Sequence, residues 1–153
     1  MDSPRYLVID TQCLLDWLVF RDPASQGWAS ELGGQQWKWI FTSEMRKEFD
    51  HVLARGFGPR WTPPAEQVLD DAWSTLGHQV EVPVPLSTPG RLRCTDRSDQ
   101  KFIDLAISAG AAALISRDKA VLKLARAAQV RHGLLIATRE RWLNERDKDV
   151  AAP

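Results

Sequence analysis

Five acidic residues stand where a folded chain can bring them to one place. Asp10 closes the apolar run "YLVID", Asp118 follows the apolar run "AALIS", and Asp99 opens the periodic stretch that feeds that second run. Asp96 lies three residues before Asp99. Glu48 sits one turn inside another helical stretch, next to an apolar stripe of Met45, Phe49, Val52 and Leu53, with little local reason for a carboxylate. Carboxylates gathered without a cation raise one another's pKa values. A hard divalent ion removes that cost, because Mg²⁺ and Mn²⁺ prefer oxygen ligands. Such ions activate water for attack on a phosphodiester and stabilise the leaving oxygen. Convergence of these acids therefore points to metal-dependent phosphodiester hydrolysis.

Taken singly, each acid has an ordinary explanation. An Asp at a strand end commonly caps the next helix, and Asp96 and Asp99 suit a cap or turn before "QKFIDLA". Glu44 falls in a first helical turn, where a carboxylate favours the dipole. Asp16 and Asp22 read as solvated or turn residues, and Asp104 as a surface residue of its helix. Only the joint pattern carries the chemistry.

The elements that must position these acids alternate along the chain. "YLVID" suits a buried parallel strand, and "TQCLLDWLVF" has Cys13, Leu14, Trp17 and Leu18 at helical spacing, with Asp10 or Thr11 as cap. "WKWIFTS" reads as a second strand, followed by a helix capped by Ser43 and stopped by Gly56. A further helix is expected from Thr62, with Pro63 and Pro64 in its first turn. "VEVPVPLSTPGRLRC" offers an edge strand and then a loop. A helix from about 99 to 109, the strand "AALIS", a helix "KAVLKLARAAQ", the strand "HGLLIAT" and a short helix "RERWLNER" complete the order. Helices alternating with short apolar strands predict an α/β domain, with a parallel sheet of four or five strands covered on both faces. Ligands of such sheets bind outside the carboxyl ends of the strands, where Asp10 and Asp118 fall.

The bulk composition narrows the classes. The 153 residues fit one domain, and 20 Lys+Arg balance 20 Asp+Glu, so no overall basic field marks a nucleic-acid binder. Seven Trp suit large anchors in a small core. Cys13 and Cys94 lack metal-type spacing, and "MDSPRYLVID" has no cationic apolar leader, which points to a reducing cytoplasm. No apolar run approaches the roughly 18 residues that a membrane span needs.

The motifs together resemble a known family. "VIDTQCLLDWL" resembles the opening strand–helix motif of PIN domains, an apolar run followed by Asp-Thr-Asn. "TSEMRKEFDHVL" resembles their second motif, a Glu before a bulky apolar residue on a helix. "CTDRSDQKFIDLAISAGAAALISRDKAVLKL" resembles their longest motif, an Asp opening an Ala-rich helix and an Asp after the next strand. The likeness runs from roughly residue 5 to 140, and the wording of "DWLVFRDP" and "DQKFIDLA" is similar to the toxin components of bacterial toxin–antitoxin pairs.

The resemblance implies a PIN-like three-layer α/β/α sandwich over residues 1–145, with residues 146–153 as a disordered tail. It implies an Mg²⁺- or Mn²⁺-dependent ribonuclease with Asp10, Glu48, Asp99 and Asp118 as catalytic and metal-binding acids. Asp96, Thr11 and Gln12 are secondary site residues. Arg97, Lys101, Arg117 and Lys119 flank the acids as candidate phosphate contacts. Asp10 and Asp99 are expected to hold the metal directly, and Glu48 and Asp118 to act through water. Gln12 stands where the family usually has Asn, and Ser98 where close relatives often carry a second acid. Implied partners are an RNA substrate and a cognate antitoxin protein, with a homodimer as one arrangement the resemblance allows. The alternatives are a catalytically weak RNA- or protein-binding module of the same fold, and a nuclease or phosphatase acting on other phosphate esters, DNA included.

Overall fold

The computed structural model describes residues 3–83 and 91–151, with side chains of the last helix described as far as Arg146. Strand β1 (Arg5–Ile9) leads into helix α1 (Thr11–Leu18), a 3-10 turn (Pro23–Ser25), α2 (Trp28–Gly33) and β2 (Trp37–Phe41). Helices α3 (Ser43–Arg55) and α4 (Glu66–Leu76) and strand β3 (Gly77–Gln79) follow. A 3-10 turn (Arg97–Asp99) then enters α5 (Gln100–Ser108), β4 (Ala113–Ile115), α6 (Lys119–Leu122), α7 (Ala125–His132), β5 (Leu135–Ala137) and α8 (Arg139–Ala151).

The five strands form one sheet in the order β3-β2-β1-β4-β5, all pairs parallel. Helices cover both faces, as the apolar strand runs require: Leu7, Val8 and Ile9 of β1 and Ala113, Leu114 and Ile115 of β4 are all buried. The chain winds outward through β2 and β3, then returns to lay β4 on the other side of β1. The reversal sits between β1 and β4, the point at which open α/β sheets leave a crevice beyond the strand ends. Register makes those ends flush: Ile9 pairs with Ile115, and Ile115 with Ala137. The next residue on each strand is polar: Asp10, Ser116 and Thr138.

Six of the seven tryptophans are core anchors, as expected; Trp17, Trp28, Trp37, Trp39, Trp73 and Trp142 are buried. They form one contiguous aromatic layer. Trp28 stacks on Trp142 at 5.0 Å and Trp39 meets Trp73 at 4.7 Å, with Trp17 touching both Trp28 and Trp39. This layer ties α1, α2, α4 and α8 to β2, so the strand ends have a rigid backing.

Several expected boundaries move. Thr42, not Ser43, caps α3, its hydroxyl accepting from the Met45 N–H. Helix α4 starts at Glu66 rather than Thr62, because Thr62 and Pro63 each precede a proline and are disfavoured from helical backbone. The edge strand is Gly77–Gln79 instead of the Pro-rich segment; residues 80–83 carry no strand, and 84–90 lie outside the described residues. The expected single helix from Lys119 is two, α6 and α7, parted at Lys123 and Leu124. Helix α8 runs on to Ala151, past the expected end at 146, and residues 152 and 153 lie outside the described residues. No helix among the described residues is long and apolar enough to cross a membrane.

Candidate metal centre

Asp10 follows β1 directly and takes extended backbone, so its side chain caps α1. One carboxylate oxygen accepts from the Cys13 N–H at 2.9 Å, and the other from the Ser116 hydroxyl at 2.5 Å. Ser116, fully buried just past β4, also accepts from the Asp118 N–H at 3.0 Å. That one hydroxyl joins the ends of the two central strands. Burial raises the Asp10 carboxyl above its usual range and the nearby Asp118 charge adds to this, while the Ser116 and Cys13 hydrogen bonds oppose it.

A second set of acids lines the same cavity. Asp96 caps the 3-10 turn, one of its oxygens accepting from both the N–H and the hydroxyl of Ser98, at 3.0 and 2.6 Å. Asp99 ends that turn, and Asp118 caps α6 by accepting from the Ala120 N–H at 2.8 Å. Asp96, Asp99 and Asp118 each offer an oxygen, and these lie within 4.8 Å of one another. The second oxygen of Asp99 is buried and has no hydrogen-bond partner. Burial first, and then the charges of Asp96, Asp118, Asp10 and Glu48, push the Asp99 carboxyl up to about 6. Three converging oxygen donors, one of them from a carboxylate with a buried, unpartnered oxygen, fit a hard divalent cation.

Glu48 reaches the cavity from α3. The Thr11 hydroxyl donates to it at 3.1 Å, and the Lys101 ammonium pairs with its other oxygen. Lys101 also donates to the Ser98 carbonyl. Together Asp10, Thr11, Gln12, Glu48, Asp96, Asp99 and Asp118 line one cavity of about 640 Å³. The four acids expected at the site are thus brought together, with Asp96 beside them. Asp10 and Glu48 line the cavity without joining the tight group of three.

The basic candidates divide. Arg117 and Lys119 line the cavity, while Arg97 is exposed on the 3-10 turn. Arg117 makes a two-pronged pair with Asp16, at 2.9 and 3.2 Å. Asp16, read from sequence as solvated or turn, is therefore largely shielded, and Gln12 donates to it at 3.3 Å. Asp104 is likewise no free surface residue: Arg91 grips it at 3.2 and 2.5 Å and Gln100 donates to it at 3.0 Å, fastening the segment before the 3-10 turn onto α5. Ser116 escaped sequence reasoning altogether. Its signal was a small hydroxyl residue between a buried strand and an acid.

Comparison with known proteins gives one match. A family model described as PIN domain covers residues 6–120, from β1 to the start of α6, and takes in every acid named above. No curated protein and no solved structure matches the chain.

Proposed function

The chain belongs to the PIN domain family, and on that premise we propose that it is a metal-dependent endoribonuclease, the toxin of a toxin–antitoxin pair. PIN domains are typically metal-dependent nucleases. The observation that carries the reading is the group of oxygens that Asp96, Asp99 and Asp118 bring within 4.8 Å of one another, on an Asp99 that also keeps a buried oxygen without a hydrogen-bond partner. Those three residues would hold an Mg²⁺ or Mn²⁺ ion, with Asp10 and Glu48 bordering it. Relative to the expectation from sequence, Asp118 and Asp96 move inward and Asp10 outward, while Glu48 keeps its expected place on the water side. When bound, the ion supplies an activated water and neutralises charge on the phosphate.

The chain's own groups do the rest. Asp118 is fixed by the Ala120 N–H and, through its backbone, by Ser116. Asp10 cannot swing away, since both oxygens are held. Glu48, oriented by Thr11, faces the cavity as the acceptor for a proton from an attacking water. Lys119 lines the same cavity and offers positive charge to the departing strand, whereas Arg117 is already paired with Asp16.

A second reading, a binding module of the same fold, has one observation in its favour: Lys101 already neutralises Glu48. A single assay separates the two. The purified chain, incubated with single-stranded RNA and DNA and with Mg²⁺, Mn²⁺ or EDTA, should cut RNA only with the metals, and Asp118→Asn should not. Metal-independent binding with no cutting by either protein favours the module. Equal cutting of DNA moves the substrate class. An antitoxin partner is tested by co-expression with small neighbouring reading frames and recovery of a stable, inactive complex.

A further inference from the structure

Positive charge on this neutral chain is segregated. The 21 residues from Lys119 to Arg139 contain five Lys or Arg and neither Asp nor Glu. Lys119, at the start of α6, lines the acid cavity. One helical turn on, Lys123 lines a second hollow of about 440 Å³, together with Arg126 of α7 and Arg141 of α8. Helix α6 has four residues, so the backbones of Lys119 and Lys123 stand only ~6 Å apart along it. The floor of the second hollow is apolar, built from the half-buried Leu122 and Leu135.

These cations differ from others on the chain. Lys101, Arg117 and Arg139 each sit on a carboxylate. Lys119, Lys123, Arg126 and Arg141 are exposed and make no ion pair with any described residue. Three unneutralised cations around an apolar floor, with a fourth at the neighbouring acid cavity, call for a ligand with repeated negative charge and flat apolar parts.

We propose that Lys123, Arg126 and Arg141 form a track that holds the phosphates of a single-stranded nucleic acid leaving the acid cavity past Lys119, with an unpaired base against Leu122 and Leu135. This rests on the nuclease reading for the direction of the strand, not for its binding. An acid-lined cavity repels the flanking phosphates of its own substrate, so the strand needs a cationic surface next to it, and continuity through Lys119 places one there. An apolar floor suits a splayed base, which a duplex would keep stacked. An acidic protein segment would match the charge but has no need of continuity with the cavity.

The test uses the full chain and the double variant Lys123→Gln/Arg126→Gln, both positions being exposed. Binding of a fluorescein-labelled single-stranded RNA of about 12 nucleotides is followed by anisotropy in EDTA over a range of salt. The variant should bind about 10-fold more weakly at low salt, and its slope of log affinity against log salt should fall by about 1.4, the value for two phosphate contacts. With Mn²⁺, cleavage of a dinucleotide, which fits the cavity alone, should be unchanged. Loss of affinity in a chain that cuts nothing leaves the track standing and ends the nuclease reading. Equal affinity and slope in both proteins overturns the track, even where cleavage persists. So does a polyglutamate peptide that binds the parent alone while RNA binding is equal, which would give the hollow to an acidic protein segment. Slower dinucleotide cleavage by the variant overturns it as well, since the residues would then act inside the cavity.

Discussion

Asp10 and Asp99 are the same acid, both with a carboxyl held above its usual range, yet they stand in different company. Asp10 is nearly inaccessible and spends both oxygens on neighbours, the Cys13 N–H and the Ser116 hydroxyl. Asp99 is half-buried, leaves one oxygen without a partner and faces Asp96 and Asp118. On the Asp10 side the fold has satisfied its polar groups, and the cost of burial is met by hydrogen bonds. On the Asp99 side it has left repulsion in place, which a cation or a bound proton relieves. The contrast divides the cavity into a framework wall and a ligand wall.

The largest expected effect tests that division directly. Asp99→Asn should lower cleavage by more than about 100-fold and also remove the rise in melting temperature that Mg²⁺ or Mn²⁺ gives the parent, because a ligand atom is lost. Asp10→Asn should also cut activity severely but keep the ion-induced rise, since Asn can still accept from Cys13 and donate toward Ser116. Thermal melts of both variants with and without metal decide the matter. If Asp10→Asn loses the metal response as completely as Asp99→Asn, the two walls are one and the contrast fails.

Next in size is Ser116→Ala on the framework wall. It removes one hydroxyl that serves both Asp10 and the Asp118 N–H at a fully buried position. The expected cost is about 1–3 kcal/mol in denaturant unfolding, with a further rise of the Asp10 carboxyl pKa. Stability equal to the parent would mean that water replaces the hydroxyl, and that the framework wall is less dry than it looks.

The ligand wall should announce itself in the pH dependence of metal-free stability. Asp99 titrates near 3.8 in the unfolded chain and at about 6 in the folded one. Between those values the folded chain keeps a proton that the unfolded chain has released, so stability falls as pH rises through this window and stays lower above it. Asp10 acts in the same direction. Asp96, whose carboxyl Ser98 lowers, acts oppositely: its contribution is lost as pH falls below the ordinary range. Melting in EDTA across this window should therefore show the parent losing stability relative to Asp99→Asn as pH rises, with Mg²⁺ restoring it at neutral pH. A parent-minus-variant difference that is flat with pH would remove the claim that Asp99 is held in an unfavourable charge state.

Much of this was legible in the chain, and the reasons for the rest are physical. Asp10 and Asp118 could be placed because each follows an uninterrupted apolar run, and a parallel sheet aligns the carboxyl ends of such runs. Strand β3 could not, because "GHQ" has no strand character of its own. It pairs because Gly77 has no side chain: a Cβ there would sit 2.6 Å from the Phe41 ring and 2.8 Å from the Trp73 carbonyl oxygen. The partition of the acids was equally hidden. Ser116 meets Asp10 across 106 residues, and Lys101 reaches Glu48 from a different helix. Pairings at that separation leave no periodic trace, so the sequence shows five acids without showing which of them are already satisfied.

Gln12 is where the smallest effect is expected, and it sharpens the contrast by standing at its edge. It lines the cavity beside Asp10 but is exposed, and its amide donates to Asp16 rather than to any of the five acids. Asp16 is in turn held by both prongs of Arg117, so Gln12 is a secondary support of the Arg117 side chain. Gln12→Asn shortens the side chain by one methylene and restores the residue the family usually carries. The contact at 3.3 Å is long and solvent-exposed, so its loss should cost under about 0.5 kcal/mol. Asp16 and Arg117 keep their own pair, and the ligand wall is untouched, so the metal-induced rise in melting temperature should not change. Activity should therefore stay within about threefold of the parent, a factor worth only about 0.65 kcal/mol in barrier height. A tenfold gain would show that an amide at this position belongs among the working groups of the cavity, and that the longer Gln12 holds it out of place.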